Sequence, residues 1–593
     1  MNNKTKVILI AIILMASVLL SGCVDSPLKE ESPVIDKTTE KVIPEKPKDT
    51  DDKRMALLDD IDDDGISNSA PASQANTAVA ASGGSGSGSS STKNNVDYSV
   101  VKIATSNVVK DESFYDYYVG IFSKLSNFPM MQMDSTGSLV GLAAERYEVS
   151  SDNTQWTFYM KDDLYWSDGT KVTPEDAEFT ITYMGTKIAS AGWIGQTLDS
   201  TSVSKNDNSV TFTFNQPYTN LNLEFATYNL IPKHVWGNIN DPNTHKSRGP
   251  YVGCGPYYLE DIDLNSAKLT YKKNPYWKGT SPKFETVEIH WFSNDNVASF
   301  ALQSGSMDTY YKYASSYPYA SIAPLEATGN FNMDRRTSLG LTFLGINLNK
   351  EPLNNPDFRQ ALSYAIDYDE LILINTLGYG KVPNRGFVPP GMDHYKKTDA
   401  HSYNTNKAVS LLNAAGYVDT NGNGIREING VDISLELVIR PGYEESSMLI
   451  EEYLEAVGID VKITQVDTNT WYTRKDNYQY DLTISGATPW GMLMHAGWGT
   501  GYLDSRRTGQ GVLHVLDDPQ FLTLCDNILA TTNQNELKQY ASELQDYYAE
   551  EMPLIPLYYV EHVTPYNKRF SGWAYNPLFG IYNLETFLNL DKV

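Results

Sequence analysis

Basic residues, histidine and cysteine are scarce in this 593-residue sequence: 47 Lys and Arg face 73 Asp and Glu, with eight His and three Cys. A formal net charge of −26 argues against nucleic-acid binding, because a phosphate backbone must be met by Lys and Arg. The three cysteines stand at Cys23, Cys254 and Cys525. The last two either pair or remain as two buried thiols, and spacing does not decide between these. Long apolar runs are absent apart from Val7 to Leu20, so no later segment is suited to cross a bilayer. Catalytic signatures are missing as well. No H-E-x-x-H, G-x-S-x-G or P-loop pattern occurs, and the histidines are scattered.

Aromatics are abundant, with 40 Tyr and ten Trp. Rings with a polar tip suit a large core and a cleft that grips polar ligands. The length calls for two or more lobes. At the N-terminus, Lys4 and Lys6 precede the apolar stretch, which is too short for a comfortable membrane span and fits a signal-peptide h-region. It ends in Leu20-Ser21-Gly22-Cys23, which looks like a lipobox: cleavage before Cys23 would leave a lipid on its thiol. Residues 1–22 therefore read as signal peptide and 23–95 as a lipid-anchored flexible tether, rich in Glu, Lys, Pro and Asp and then in Gly and Ser. A flexible chain of about 70 residues spans roughly 45 Å on root-mean-square average. Asp60 to Gly65 has the spacing of a calcium loop, but Pro71 fills its twelfth position, so it reads as a solvated acidic patch.

From about residue 96 the chain is globular, with strand and helix periods interleaved. Trp156, Phe158 and Met160 alternate, as do Val210, Phe212 and Phe214, predicting half-buried strands. Thr173-Pro174-Glu175-Asp176 predicts a helix start with Thr as N-cap. Ile450, Tyr453, Leu454 and Val457 keep helical spacing until Gly458, after which Ile459 to Ile463 reads as a strand. Leu537, Tyr540, Ala541, Leu544, Tyr547 and Tyr548 mark a further amphipathic helix.

Ordered blocks then resemble a known family. The first is Leu142 to Val149, Trp156-Thr157-Phe158, Tyr165 to Thr170 and Val172 to Ala177. The second is Gly255 to Leu259 with Lys273 to Trp277, and the third Ile346-Asn347 with Phe358 to Asp367. The last is Met552 to Tyr559. In this order, from about residue 99 to the C-terminus, they resemble the extracytoplasmic solute-binding proteins (family 5) of peptide and nickel ABC importers. The resemblance implies an α/β, two-lobed, periplasmic-binding-protein-like fold of type II, in its large three-subdomain form, with hinge-connected lobes. Carried over, lobe I covers about 97–133, 248–340 and 556–593, an inserted subdomain about 134–247, and lobe II about 341–555. Asp168-Gly169 reads as a turn needing positive φ, and Arg359 as a capped or ion-paired helix residue.

The resemblance also implies a ligand cleft. In peptide-binding members an acid after a Tyr-Asp strand receives the α-ammonium, whereas here the strand Tyr480 to Gly486 leads to Trp490 and no acid follows before Asp504. A Pro-Trp pair at this place is similar to nickel-binding members. Trp490 and Trp498 are candidates for an aromatic wall. His495 and Met494 are candidate ligands of a metal chelate, or else loop and packing residues. Arg385 and Arg506 could clamp a carboxylate, with a structural salt bridge as the alternative. Tyr310 and Tyr313 map near the hinge. Asp419, Asn421, Asn423 and Glu427 occupy calcium-loop positions, yet Gly430 stands where the bidentate Glu belongs, which leaves a weak calcium site or a plain turn.

The expected role is non-enzymatic: a monomer on the extracytoplasmic face of the cell membrane, held by its lipid, needing no cofactor. It would capture a peptide or similar polar solute, or a metal chelate, and deliver it to ABC importer permease subunits. A secreted hydrolase or a structural surface protein on the same fold is the reading of a different class.

Overall fold

The computed structural model describes residues 99–593 except 110–117, 119–120, 134–138, 188–197, 215–227, 243–244, 246–250, 314, 393, 488–502, 507–512, 514, 532 and 577–578. Strands form where apolar side chains alternate. Trp156, Phe158 and Met160 face the core from Gln155–Met160, and Val210, Phe212 and Phe214 from Ser209–Phe214. The two strands pair antiparallel with Trp156 opposite Phe212. The helix Pro174–Lys187 begins where expected, but Thr173 donates rather than accepts. Its N–H (2.9 Å) and hydroxyl (3.2 Å) both reach Asp176 Oδ2, and Asp176 Oδ1 accepts from Lys233 N at 3.0 Å. One buried carboxylate thus ties two helix starts together. Gly458, at φ 86°, follows helix Glu444–Glu455 and admits strand Asp460–Gln465.

Among the described residues the principal feature is a 12-stranded sheet. At one end Ser434–Ile439 runs parallel to both neighbours, Asp460–Gln465 and Leu482–Ala487. At the other, Val100–Thr105 runs parallel to Thr286–Trp291 and Thr309–Tyr310. Two segments link these parallel blocks. Strand Leu554–Asn567 pairs first with Leu341–Ile346 (Thr342 opposite Tyr558) and then with Phe331–Thr337 (Asp334 opposite Thr564). The segments 331–346 and 554–567 therefore belong to both halves, as hinge strands of a two-lobed α/β fold do.

The packing divides in the same way. One core joins Ile103, Trp166, Phe212, Tyr257 and Tyr582, so the antiparallel sheet around Trp156 is fused to the first half. Separate cores form around Leu344, Leu437 and Ile450, and around Phe343, Phe521 and Tyr548. Cys254 and Cys525 are both buried and form no disulfide, lying in different cores. Burial pushes the Cys254 thiol up to about 12. Met130 and Met131 are core residues. Among the described residues no helix is long and apolar enough to cross a membrane.

Candidate functional site

Where the linking strands pass between the halves, they line a narrow, partly open cavity of about 30 Å³. Tyr310, Lys312, Ser338, His562, Tyr575 and Phe579 are among the residues that line it. Tyr310 ends a strand parallel to Val100–Thr105, so it stands at a carboxyl end, where open α/β sheets bind ligands. Its phenol donates to Asp295 Oδ1 at 2.8 Å, and Lys312 Nζ reaches Asp295 Oδ2 at 3.2 Å. Burial and the adjacent Asp295 carboxylate raise the Tyr310 phenol well above its ordinary value. Tyr313 packs against Phe579 with ring centroids 6.4 Å apart, and burial pushes its phenol up to about 12. The two hinge tyrosines picked from sequence are thus brought to one cavity, Tyr310 in its wall and Tyr313 one ring behind.

The two arginines, each read as a clamp or as a structural salt bridge, are committed to partners within the chain. Arg385 is buried; its guanidinium donates to Gln360 Oε1 and, at 3.2 Å, to Ser363 Oγ, and lies 4.9 Å from the Tyr364 ring centre. It braces a loop against helix Pro356–Ala365 instead of facing the cavity. Arg506 forks onto Asp504 (2.8 and 3.0 Å) and onto Asp526 (2.8 and 3.1 Å), and these hydrogen bonds raise its pKa further. Two internal carboxylates occupy the fork that a solute carboxylate would need. Met494, His495, Trp490 and Trp498 lie outside the described residues.

The 419–427 loop folds as a turn that satisfies itself. Asp419 accepts from the N–H groups of Gly422 (2.7 Å) and Gly424 (2.9 Å), which hold its carboxyl below the usual range. Asn421 and Asn423 accept from the N–H groups two residues on, and Glu427 accepts from Thr420 and Asn421. Among the described residues no group of three or more His, Cys, Asp or Glu gathers where it could hold a metal ion.

Sequence reading passed over one cationic side chain. Arg440 follows strand Ser434–Ile439 directly, buried, 5.1 Å from the Trp471 ring centre and 5.5 Å from that of Tyr443. Its position at the carboxyl end of a strand flanked by two parallel neighbours is the signal that could have found it.

Solved structures share this architecture. A periplasmic oligopeptide-binding protein of an oligopeptide ABC transporter from Thermotoga maritima superposes with a TM-score of 0.71 at 22% identity, covering 84% of this chain and 99% of that one. Among curated proteins, the probable D,D-dipeptide-binding periplasmic protein DdpA of Escherichia coli is 24% identical over 464 residues, 75% of this chain and 84% of the relative. The nickel-binding periplasmic protein of the same organism is 22% identical over 470 residues, 76% and 86% of the two chains. Residues 138–508 match the profile described as bacterial extracellular solute-binding proteins, family 5 Middle. A cavity between two linked halves is what such a family requires: this chain belongs to the bacterial extracellular solute-binding proteins of family 5, which bind their substrates and are not enzymes.

Proposed function

We propose that this chain is the lipid-anchored capture subunit of an ABC importer, enclosing a peptide or a polar solute of similar size between its halves. The observation that carries the reading is the aromatic cavity built on the linking strands. A ligand held there touches segments shared by both halves, so binding favours the closed arrangement that permease subunits would recognise. Cys23 supplies the anchor on the extracytoplasmic face, residues 24–95 the reach, and the protein acts as a monomer without a required cofactor. The 419–427 loop serves as a turn in this reading.

Nickel or another metal held as a chelate is the second reading. It is favoured by the missing acid near Trp490 and by the nickel-binding relative. His495 would then approach the metal, and Trp490 and Trp498 would wall the chelator. Native mass spectrometry with metal analysis, on protein purified without added ligand, separates the two. The peptide reading expects a non-covalent mass of peptide size and no stoichiometric nickel. Stoichiometric nickel with a small chelator would replace it with the second reading.

A further inference from the structure

We infer that Tyr319 and Tyr379 form a latch behind the hinge that favours the open arrangement of the cleft. The pair then tunes how tightly a solute is held without touching it. This rests on the solute-capture reading and adds the device that regulates it.

The two rings come from different halves. Tyr319 opens helix Tyr319–Ala327, whose Ile322 and Leu325 are buried in one core with Ala104 and Leu302. Tyr379 follows helix Tyr368–Thr376, whose Leu371 and Ile372 belong to the core around Leu344 and Leu437. Both rings are half-buried, and they stack with centroids 5.2 Å apart and 3° between their planes.

The linking strands hold both rings. The Glu561 carbonyl accepts from the Tyr319 hydroxyl at 2.9 Å, and the Glu561 N–H donates to the Tyr379 carbonyl at 2.9 Å. Lys381 Nζ reaches the Glu561 carboxylate at 3.3 Å and Thr337 Oγ1 at 3.0 Å. Arg335, on the second linking strand, lies 5.2 Å from the Tyr379 ring centre and pairs at 3.0 Å with Glu326 of the Tyr319 helix.

Strand alternation places this junction opposite the cavity. His562 and Thr564 line the cavity, and Arg336, paired across from His562, lies 5.1 Å from the ring centre of Tyr575 in its wall. Glu561, with Thr337 across from it, and Arg335 therefore face the other side of the same strands. A hinge works as a lever: opening the cavity side brings the rear surfaces together, and closure draws them apart. A stack behind the hinge is thus made in the open arrangement and lost on closure. It lowers the population of the closed, binding-competent state, and apparent affinity falls by the same factor.

Two measurements on the full chain test this: small-angle scattering without ligand, and calorimetric titration with mixed di- to pentapeptides and with nickel plus L-histidine. Tyr319→Ala and Tyr379→Ala should each tighten every probe that binds the unmodified protein by about 2- to 10-fold. The factor should be the same for each probe, and the ligand-free variants should scatter as more compact particles. Tyr319→Phe keeps the stack and loses only the hydroxyl, so it should fold normally and shift both readouts less, in the same direction. A merely structural contact would weaken binding when removed. Unchanged or weaker binding, or an unchanged radius of gyration, would therefore overturn the latch while leaving solute capture intact. If no probe bound the unmodified protein, the capture reading would fall, and scattering, which needs no solute, would still decide the latch.

Discussion

Replacing Arg359 with Met is expected to cost about 2–4 kcal/mol, because it leaves several buried carbonyls without a donor. Arg359 sits on helix Pro356–Ala365 and is 3% exposed. Its guanidinium donates to the carbonyls of Glu551 (2.6 and 2.9 Å), Met552 (3.1 Å) and Leu353 (3.0 Å), and lies 3.4 Å from the Glu551 carboxylate. Glu551 ends the helix Gln534–Glu551, and Met552 turns the chain at φ 47°. A helix end leaves its last carbonyls unpaired and carries partial negative charge, so this arginine satisfies both needs at once. Met would fill much of the volume but leave these carbonyls buried and unsatisfied. Lys should recover only part of the loss, because it lacks the planar fork. Chemical denaturation followed by circular dichroism measures the cost, and a loss below about 1 kcal/mol would contradict this role.

Cys23 carries the second large effect. A diacylglyceryl group brings two acyl chains, and two lipid signals are what stable membrane anchoring takes. Mass analysis of the purified chain should show residues 1–22 removed and a lipid mass on the residue-23 peptide. In Cys23→Ser both changes should disappear together. An unmodified thiol at Cys23 in the unsubstituted protein would remove the anchor from this account.

Local patterns were legible wherever the chemistry was local. The helix read from Leu537 to Tyr548 is observed as Gln534–Glu551, and alternation found the strands around Trp156 and Phe212. Asp168-Gly169 is the turn it was read to be, with Gly169 at φ 90° and Thr170 N donating to Asp168 Oδ1 at 2.9 Å. Arg359 was read as a capped or ion-paired helix residue, but its capping of another helix was not legible, because Glu551 lies 192 positions away. For Arg506 the clamp and the salt bridge both stayed open in the sequence, for a related reason. Its fork is closed partly by Asp526, and pairings of that kind leave no mark in a linear pattern. The Thr173 cap failed differently: the right residues were chosen, but the hydroxyl donates to Asp176 where acceptance was expected. The cavity was invisible to periodicity, since the strands that line it meet only through the tertiary fold.

The central claim, solute capture without turnover, is tested most directly by the melting temperature of the full chain against the peptide panel and nickel with histidine. A ligand that binds only the folded state adds about 2.7 kcal/mol at a hundredfold excess over its dissociation constant. At least one member is therefore expected to raise the melting temperature in a concentration-dependent way and to be recovered chemically unchanged. No shift with any member, or consumption of the ligand, would contradict the account.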